Sequence, residues 1–193
     1  INASVQALAR QTDHQTNSFI IIQLQEALLL ISNHFCDYEK QSNFIVEIIR
    51  PAVTQWMTLS AVLKSPQAFI EFVGLNQTPV NPPVENAFSA NRSQLLSAIN
   101  LVLGIIKRCS WPEDPDRAQR GGFVVAYTES GNPIFRNPAT AHVVPLLPHI
   151  LALLRVLNEI YHPEAIRAIS DGFKHANSLP ECEKKTLMGI ITP

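Results

Sequence analysis

The sequence predicts an all-α fold in which antiparallel helix pairs stack in a row. Apolar residues recur at intervals of three and four in nearly every long segment, as they do along one face of a helix. Strand signals are nearly absent, since only 122–127 could form a short extended piece. Several apolar stripes are also wide enough to need neighbours on two sides. With 193 residues, of which 46% are hydrophobic, the chain can bury one domain-sized core or a short run of repeats.

The first helix pair is predicted over about 17–64. Asn17 or Ser18 can cap a helix that runs to about Phe35, because their side chains accept hydrogen bonds from the first free backbone amides. A second helix follows a short turn, and Pro51 removes a backbone donor from it, so a kink or break is expected there. The apolar stripes of the two helices comprise Ile20, Leu24, Ala27, Leu28, Ile31 and Phe35, then Phe44, Ile45, Ile48 and Ile49.

The second pair is predicted over 66–108. The Ser-Pro dipeptide at 65–66 is a helix start, because serine caps a helix and proline fits its first position. The stretch 76–90 holds three prolines and few long apolar groups, which predicts a loop. Asn91 is then expected to cap a helix that ends near Arg108, where positive charge complements the negative pole of the helix dipole.

The third pair is predicted over 139–190. Pro145 and Pro148 delay regular hydrogen bonding in its first helix, and Pro163 and Pro180 each start a short helix. Helix pairs with apolar residues on two sides cannot bury both faces alone and must stack on further pairs. The pattern is that of an α-solenoid of HEAT-like repeats, and all 193 residues are interpreted as a single segment of it.

One long loop, 109–138, interrupts the helices. It contains four prolines and three glycines, and loops of this length tend to carry a function. The charged side chains of this loop can either form local ion pairs or contact a nucleic-acid backbone. Arg136 is the best candidate for contact with a nucleic acid, because Phe135 and two prolines fix the conformation around it. Tyr127 and Phe135 can stack on a base or anchor the loop. The interleaved charges are Lys107, Arg108, Arg117, Arg120 and Arg136 against Glu113, Asp114, Asp116 and Glu129.

Composition excludes several classes of function. The net charge of -1 rules out a surface that is basic overall, so any nucleic-acid site must be local. Cys36, Cys109 and Cys182 lack CxxC spacing, which argues against disulfides and zinc; we expect a reducing compartment and no cofactor or metal. No secretory leader is visible and polar residues break the apolar run 19–31, so no membrane insertion is expected. For the same reasons we expect an intracellular protein, and because the chain opens without methionine we interpret it as a piece of a longer protein.

Catalysis is not expected from this sequence. His34, Cys36 and Asp37 are the residue types of a nucleophilic set, but at a helix end the first two point in different directions and no oxyanion-hole turn follows. His142 and His149 lie two turns apart with prolines between them, without the HExxH arrangement of zinc hydrolases.

Three stretches together resemble one protein family. They are EALLLISNHFCDYEKQ, KRCSWPEDPDRAQ and GGFVVAYTESGNPIFRNP, and the similarity extends over about 16–190. They resemble the central part of the karyopherin-β nuclear export receptors, whose HEAT repeats wind into a toroid. The resemblance implies a protein that shuttles between nucleus and cytoplasm and carries structured RNA, chiefly pre-microRNA. Its further implied partners are nucleoporins and Ran-GTP, the latter bound mainly through other repeats.

The resemblance also implies site residues at the base of the receptor, where a tunnel takes the two-nucleotide 3′ overhang of the RNA. Arg92 corresponds to an RNA-contacting arginine, and Asn17 and Ser18 occupy the position of a Thr-Gln contact pair from which they differ. Arg92 opens its predicted helix, where the dipole disfavours a cation unless an anion binds, so phosphate contact and plain solvation are both open. For Asn17 and Ser18 the alternative is a plain helix cap. Secondary candidates for RNA contact are Arg136, Arg108 and Arg120.

Two functions follow as hypotheses. In the first, the chain is a non-catalytic segment of a Ran-GTP-dependent export receptor that recognises the end of double-stranded RNA by form and charge. In the second, it is a protein-interaction scaffold of HEAT repeats that makes no direct contact with RNA. Preference for hairpins with a 3′ overhang over blunt ones would favour the first hypothesis.

Overall fold

The computed structural model describes residues 14–79 and 86–187, and this part of the chain is predominantly helical. It confirms the predicted all-α class of HEAT-like helices. The helices are α1 (His14–Ser32), α2 (Tyr38–Leu59), α3 (Pro66–Val73), α4 (Ala87–Arg108), α5 (Pro115–Arg120), α6 (Thr140–Val143), α7 (Leu147–Glu159), α8 (Pro163–Ile166), α9 (Asp171–Lys174) and α10 (Glu181–Leu187). Single 3-10 turns occupy Asn33–Phe35, Val62–Lys64, Val144–Leu146 and Ala176–Ser178.

The chain contacts divide it into two compact units, each with its own core. Unit 1 comprises the described residues up to Thr54 together with Ser97–Leu147. Unit 2 comprises Gln55–Leu96 and the described residues from Pro148 onwards. The helix-pair boundaries suggested by the sequence stay a prediction.

The core of unit 1 forms from apolar faces of α1, α2 and α4 and is tied together by a buried polar side chain. Gln41 is wholly buried, and its Nε2 donates to Oδ1 of Asn33 at 2.8 Å and to the carbonyl of Ser110 at 3.2 Å. Asn33 in turn donates through Nδ2 to the carbonyl of Arg108 at 2.7 Å. These bonds fix the start of the long loop to the helices. Buried apolar members of this core include Leu29, Ile45, Ile49, Ala52, Leu101, Val102 and Ile105.

The core of unit 2 is built around α3, whose two ends follow from its sequence. Ser65 caps the helix, since its side chain accepts from the amide of Ala68 at 3.2 Å, with Pro66 as the first helical residue; the predicted start is confirmed. The helix ends at Gly74, where φ is +70° and an added Cβ would lie 2.5 Å from the ring of Phe88. Its buried partners in the unit include Trp56, Leu59, Leu63, Leu95, Leu153, Val156 and Ile160.

The first two helices differ from the sequence prediction. α1 begins three residues before Asn17, so Asn17 and Ser18 lie inside the helix and the prediction that they cap it is wrong. α2 runs through Pro51 without a break, although the sequence predicts a kink or break there. Ile49 and Ala52 on either side are buried, so packing outweighs the hydrogen bond that proline removes.

The start of α4 also lies upstream of its predicted position. The helix begins at Ala87, and Asn91 is therefore internal rather than its cap. Asn86 and Ser89 close this start reciprocally: Oδ1 of Asn86 accepts from the amide of Ser89 at 2.9 Å, and Oγ of Ser89 accepts from the amide of Asn86 at 2.9 Å. This pairing satisfies two amides that the helix leaves free and explains the earlier start.

The loop 109–138 has more structure than the sequence predicts. It contains α5 and a two-stranded antiparallel hairpin of β1 (Val124–Tyr127) and β2 (Pro133–Phe135), with an irregularity between Val124 and Ala126. The predicted extended piece at 122–127 corresponds to β1.

The C-terminal helices are shorter than predicted. Regular α-helix begins only at Leu147, after the 3-10 turn that holds Pro145, which confirms the predicted effect of the prolines. The single helix expected from Pro163 is divided into α8 and α9. Between them the amide of Ser170 donates to the carbonyl of Leu75 at 2.8 Å, which draws the backbone away from a helical path. α10 starts just after Pro180, as predicted.

Candidate nucleic-acid interface

Arg92 lies in the second turn of α4 and is half-buried in unit 2. Its Nε donates a hydrogen bond to the carbonyl oxygen of Val73 at 2.7 Å. Its Cζ lies 5.5 Å from the ring centroid of Phe173, within the range of a cation–π contact. Two groups from distant parts of the sequence therefore set the direction of this guanidinium.

The electrostatic setting of Arg92 is opposite to the sequence prediction. The sequence places it at a helix N-terminus, whereas it lies beside the C-terminal end of α3, whose last residue is Val73. The negative pole of that helix favours a cation by about 0.3 to 1 kcal/mol, so the argument that Arg92 needs a bound anion is wrong. Burial lowers the pKa of Arg92, because desolvation disfavours the charged form.

Further hydrogen bonds hold the backbone around Arg92. Asn91 donates through Nδ2 to the carbonyl of Phe72 at 2.8 Å, so two consecutive side chains of α4 bind the last carbonyls of α3. The hydroxyl of Ser170 donates to the carbonyl of Gln77 at 2.8 Å. The sequence reasoning missed the bonds of Asn91 and Arg92 to α3 and the contact of Arg92 with Phe173, because these contacts join distant segments and leave no local pattern.

Asn17 and Ser18 belong to unit 1, whereas Arg92 belongs to unit 2. The backbone of both residues is helical, and their side chains lie outside the described part of the structure. Their assignment to RNA contact stays a prediction.

Arg136 anchors the long loop to the start of α2. Its Nε donates to the carbonyl of Gly122 at 2.9 Å, and its Cζ lies 3.4 Å from the ring centroid of Tyr38. Nη2 lies 3.7 Å from the carboxylate of Glu39. Beside it the amide of Tyr38 donates to the carbonyl of Gly121 at 2.8 Å. The guanidinium is therefore engaged in holding the loop in place.

The other cations of the loop differ in how they are paired. Arg108 forms an ion pair with Glu26 on α1 at 3.1 Å. Within the loop itself, Arg117 and Asp114 approach to 4.0 Å, the one ion pair in which both partners lie in the described loop. Arg120 is exposed and has no ion pair in 14–79 and 86–187. Local pairing therefore accounts for part of the charge pattern, and among the described residues it leaves exposed Lys107 and Arg120 without an ion pair.

Replacing Arg136 by lysine is expected to loosen the loop. Lysine keeps the charge but loses the Nε donor and the planar group that covers Tyr38, so the free energy of loop opening should fall by about 1 to 2 kcal/mol. Hydrogen exchange over 109–138 in the full-length protein should accelerate about five- to thirtyfold. Arg120→Lys is the control, since it changes an exposed arginine without an ion pair in the described structure. Equal exchange in the two variants would contradict the anchoring role.

The aromatic residues of the loop have separate roles. Phe135 stacks on Trp111 with ring centroids 5.3 Å apart and an angle of 6° between the planes. Both rings belong to the loop 109–138, so Phe135 packs within the loop, and its anchoring of the loop to the helices stays a prediction. Tyr127 is 54% exposed on β1, so it does not serve as such an anchor. The sequence reasoning did not identify Trp111.

Cys109, the first residue of the loop 109–138, is buried. Burial raises the pKa of this thiol to about 12, so it stays protonated at neutral pH. Alkylation of the native protein is expected to modify exposed Cys182 at least about a hundredfold faster than Cys109. Site-resolved mass spectrometry checks this, and similar rates at the two thiols would show that the loop start opens readily. Among the described residues, no group of three or more His, Cys, Asp or Glu could hold a metal ion.

Comparison with known proteins relates most of the chain to one family. A family model described as the Exportin-5 family matches residues 3–192. The chain is 40% identical over 172 residues to exportin-5 of Homo sapiens and to exportin-5 of Mus musculus, covering 88% of this chain and 14% of each relative. It is 25% identical over 174 residues to exportin-5 of Dictyostelium discoideum, covering 88% of this chain and 15% of that relative. The chain therefore spans about one seventh of the length of these relatives.

Proposed function

Because this chain belongs to the Exportin-5 family, we propose that it forms the part of a nuclear export receptor that holds the end of a hairpin RNA. The observation that carries the proposal is the family match over 3–192. Family membership supports a role for the chain within a transport receptor rather than an enzyme. In this proposal the whole receptor exports pre-microRNA from the nucleus to the cytoplasm. It binds Ran-GTP mainly through other parts of its chain and contacts nucleoporins as it passes through the pore.

Arg92 is the residue proposed to contact the RNA backbone near the 3′ overhang. Its contacts with Val73 and Phe173 hold the guanidinium in one direction before any ligand binds. A guanidinium whose rotation is already restricted loses less entropy on binding phosphate, and its planar fork suits two phosphate oxygens. A phosphate would also offset the desolvation that lowers the pKa of Arg92.

Other parts of the chain have secondary roles in this proposal. Asn17 and Ser18 supply hydrogen bonds to the overhang, and the loop 109–138 supplies shape. Arg120 is the best of the secondary cations, since Arg136 and Arg108 each have an acidic partner. Recognition rests on form and charge rather than on bases, as suits A-form RNA.

The alternative is a scaffold that binds only protein. The charge of the loop 109–138 favours this alternative. Its acidic residues are Glu113, Asp114, Asp116 and Glu129, and its basic residues are Arg117, Arg120 and Arg136. A segment with more anions than cations attracts a phosphate backbone weakly.

A series of hairpins with different 3′ ends separates the two functions. The full-length receptor with GTP-bound Ran is titrated with one stem that is blunt or carries overhangs of increasing length. The proposal expects affinity to rise from the blunt stem to the two-nucleotide overhang and then to level off. Equal affinity for all members would favour the scaffold.

A further inference from the structure

Ser110 offers a free hydroxyl at the point where α4 passes into the loop 109–138. The residue is exposed and lies two positions after the end of the helix. Its amide donates to Oδ1 of Asn33 at 3.2 Å, and its carbonyl accepts from Nε2 of Gln41 at 3.2 Å. Its Oγ has no hydrogen-bond partner in the described parts of the chain. The fold therefore uses the backbone of Ser110 and leaves its hydroxyl to the solvent.

The residues before Ser110 carry positive charge. Lys107 and Arg108 stand three and two positions before it, and the chain preceding Ser110 contains no acidic residue back to position 86. Lys107 is exposed and has no ion pair within 14–79 and 86–187. Arg108 pairs with Glu26, but its side chain is 47% exposed, and a solvated ion pair of this kind holds only weakly. Both cations are therefore available to a partner that binds this segment.

One class of protein kinases recognises basic residues at these two positions, with an apolar residue such as Trp111 directly after the serine. These kinases bind the basic side chains in acidic pockets and so select their substrates by charge. Glu113, three positions after Ser110, would suit a kinase that reads acidic residues, but Lys107 and Arg108 would then oppose its basic pocket. The charge pattern favours the kinase that reads basic residues.

We propose that Ser110 is a phosphorylation site for a protein kinase that recognises basic residues before its target serine. In the transfer, Oγ of Ser110 bonds to the γ-phosphorus of magnesium-bound ATP, while the bond from that phosphorus to the oxygen bridging to the β-phosphate breaks. The hydroxyl proton passes to the catalytic carboxylate of the kinase, and ADP leaves. The phosphate adds about 1.5 to 2 negative charges, which cancel most of the charge of Lys107 and Arg108. This inference does not depend on the proposed RNA contact.

The kinase gains access only when the start of the loop opens. Cys109 beside the target is 5% exposed, and its amide donates to the carbonyl of Ile105 at 3.0 Å. A kinase cleft takes its substrate in extended form, so the last turn of α4 and both backbone bonds of Ser110 must break. The terminal turn of a helix opens at a lower free energy than the whole protein. Phosphorylation should therefore be slower than in a free peptide of 104–115, and faster when the loop start opens more easily.

Phosphorylation of the unmodified full-length protein by the catalytic subunit of cAMP-dependent protein kinase tests the site, with Ser110 occupancy followed by site-resolved mass spectrometry. The combined substitutions Lys107→Ala and Arg108→Ala are expected to slow the initial rate at least about tenfold, because charge-assisted contacts with the kinase are lost. Glu26→Ala is the matched control, since it breaks the same ion pair as Arg108→Ala but keeps the recognised residues. Its rate should equal or exceed that of the unmodified protein.

Asn33→Ala tests the need for opening. It removes the acceptor of the Ser110 amide and the donor to the carbonyl of Arg108, so the loop start should open more often. The initial rate is expected to rise about three- to thirtyfold, as for the loss of one or two hydrogen bonds. The melting temperature of each variant is measured to confirm that it remains folded.

Three outcomes would overturn the proposal. No phosphate on Ser110 of the full-length protein would show that the kinase does not use this site, and modification of the free peptide alone would locate the cause in the closed loop start. An equal loss of rate in the double variant and in Glu26→Ala would show that the ion pair, rather than charge recognition, sets the rate. Faster modification by casein kinase II, unchanged in the double variant, would assign Ser110 to a kinase that reads acidic residues.

Discussion

Arg92→Glu in the full-length receptor is expected to reduce affinity for a hairpin with a 3′ overhang about ten- to a hundredfold, and to affect a blunt hairpin less. A charge-assisted contact with phosphate contributes about 1.5 to 3 kcal/mol, and the variant replaces it with a like charge. Each 1.4 kcal/mol corresponds to about tenfold in the dissociation constant. The slope of log affinity against log salt should fall by about one, as for loss of one phosphate contact.

The same substitution also disturbs the protein, so controls are required. Glutamate cannot donate to the carbonyl of Val73, and it places negative charge at the C-terminal pole of α3. Asn91→Ala is the matched control, because it removes the neighbouring bond to the carbonyl of Phe72 without changing charge. Phe173→Leu keeps the cation but removes the ring beneath it. Melting temperatures of all three variants measure the structural cost.

The pattern of binding across these variants decides between the two functions. If Arg92 meets RNA, Asn91→Ala keeps the preference for the overhang, Phe173→Leu reduces it several-fold, and Arg92→Glu abolishes it. If the chain is a scaffold, overhang and blunt hairpins bind equally well to every variant, and only the melting temperatures differ.

Sequence periodicity was sufficient for the fold class, while helix ends depended on individual side-chain contacts. The start of α3 was predictable because Ser65 caps it from within a few residues. The start of α4 was missed because Asn86 and Ser89 bind each other's backbone amides, whereas the sequence analysis assigned the helix cap to Asn91. The run of α2 through Pro51 depends on tertiary burial, which local propensity does not contain.

The candidate site was less predictable than the fold. Resemblance indicated Arg92, but its position at the end of α3 comes from contacts with Val73, 19 residues earlier, and with Phe173. Arg136 is a similar case, because its neighbours along the chain gave no sign of the stacking on Tyr38. Contacts between distant segments decide which charges remain available, and the amino-acid pattern alone does not specify them.

Gly121→Ala is expected to detach the loop 109–138 from α2. The backbone at Gly121 has φ of -78°, which alanine adopts freely, so chain entropy alone predicts a small gain in stability. The added Cβ, however, would lie 2.4 Å from the carbonyl oxygen of Cys36, and Cys36 already occupies the left-handed region with φ of 50°. A shift that relieves this approach would lengthen the 2.8 Å hydrogen bond from the amide of Tyr38 to the carbonyl of Gly121. The expected loss of local stability is about 2 to 4 kcal/mol.

Gly131→Ala at the tip of the hairpin is the control that separates packing from backbone preference. Gly131 has φ of +80° and nothing within 4 Å of an added Cβ, so alanine there costs about 1 kcal/mol of backbone strain without a clash. Backbone preference alone thus predicts that the change at Gly131 is the worse of the two, whereas packing predicts the reverse. In hydrogen exchange of the full-length protein, amides near Tyr38 and Phe123 should exchange about thirtyfold faster or more in Gly121→Ala and remain unchanged in Gly131→Ala. The opposite order would show that the close approach of Gly121 to Cys36 does not hold the loop.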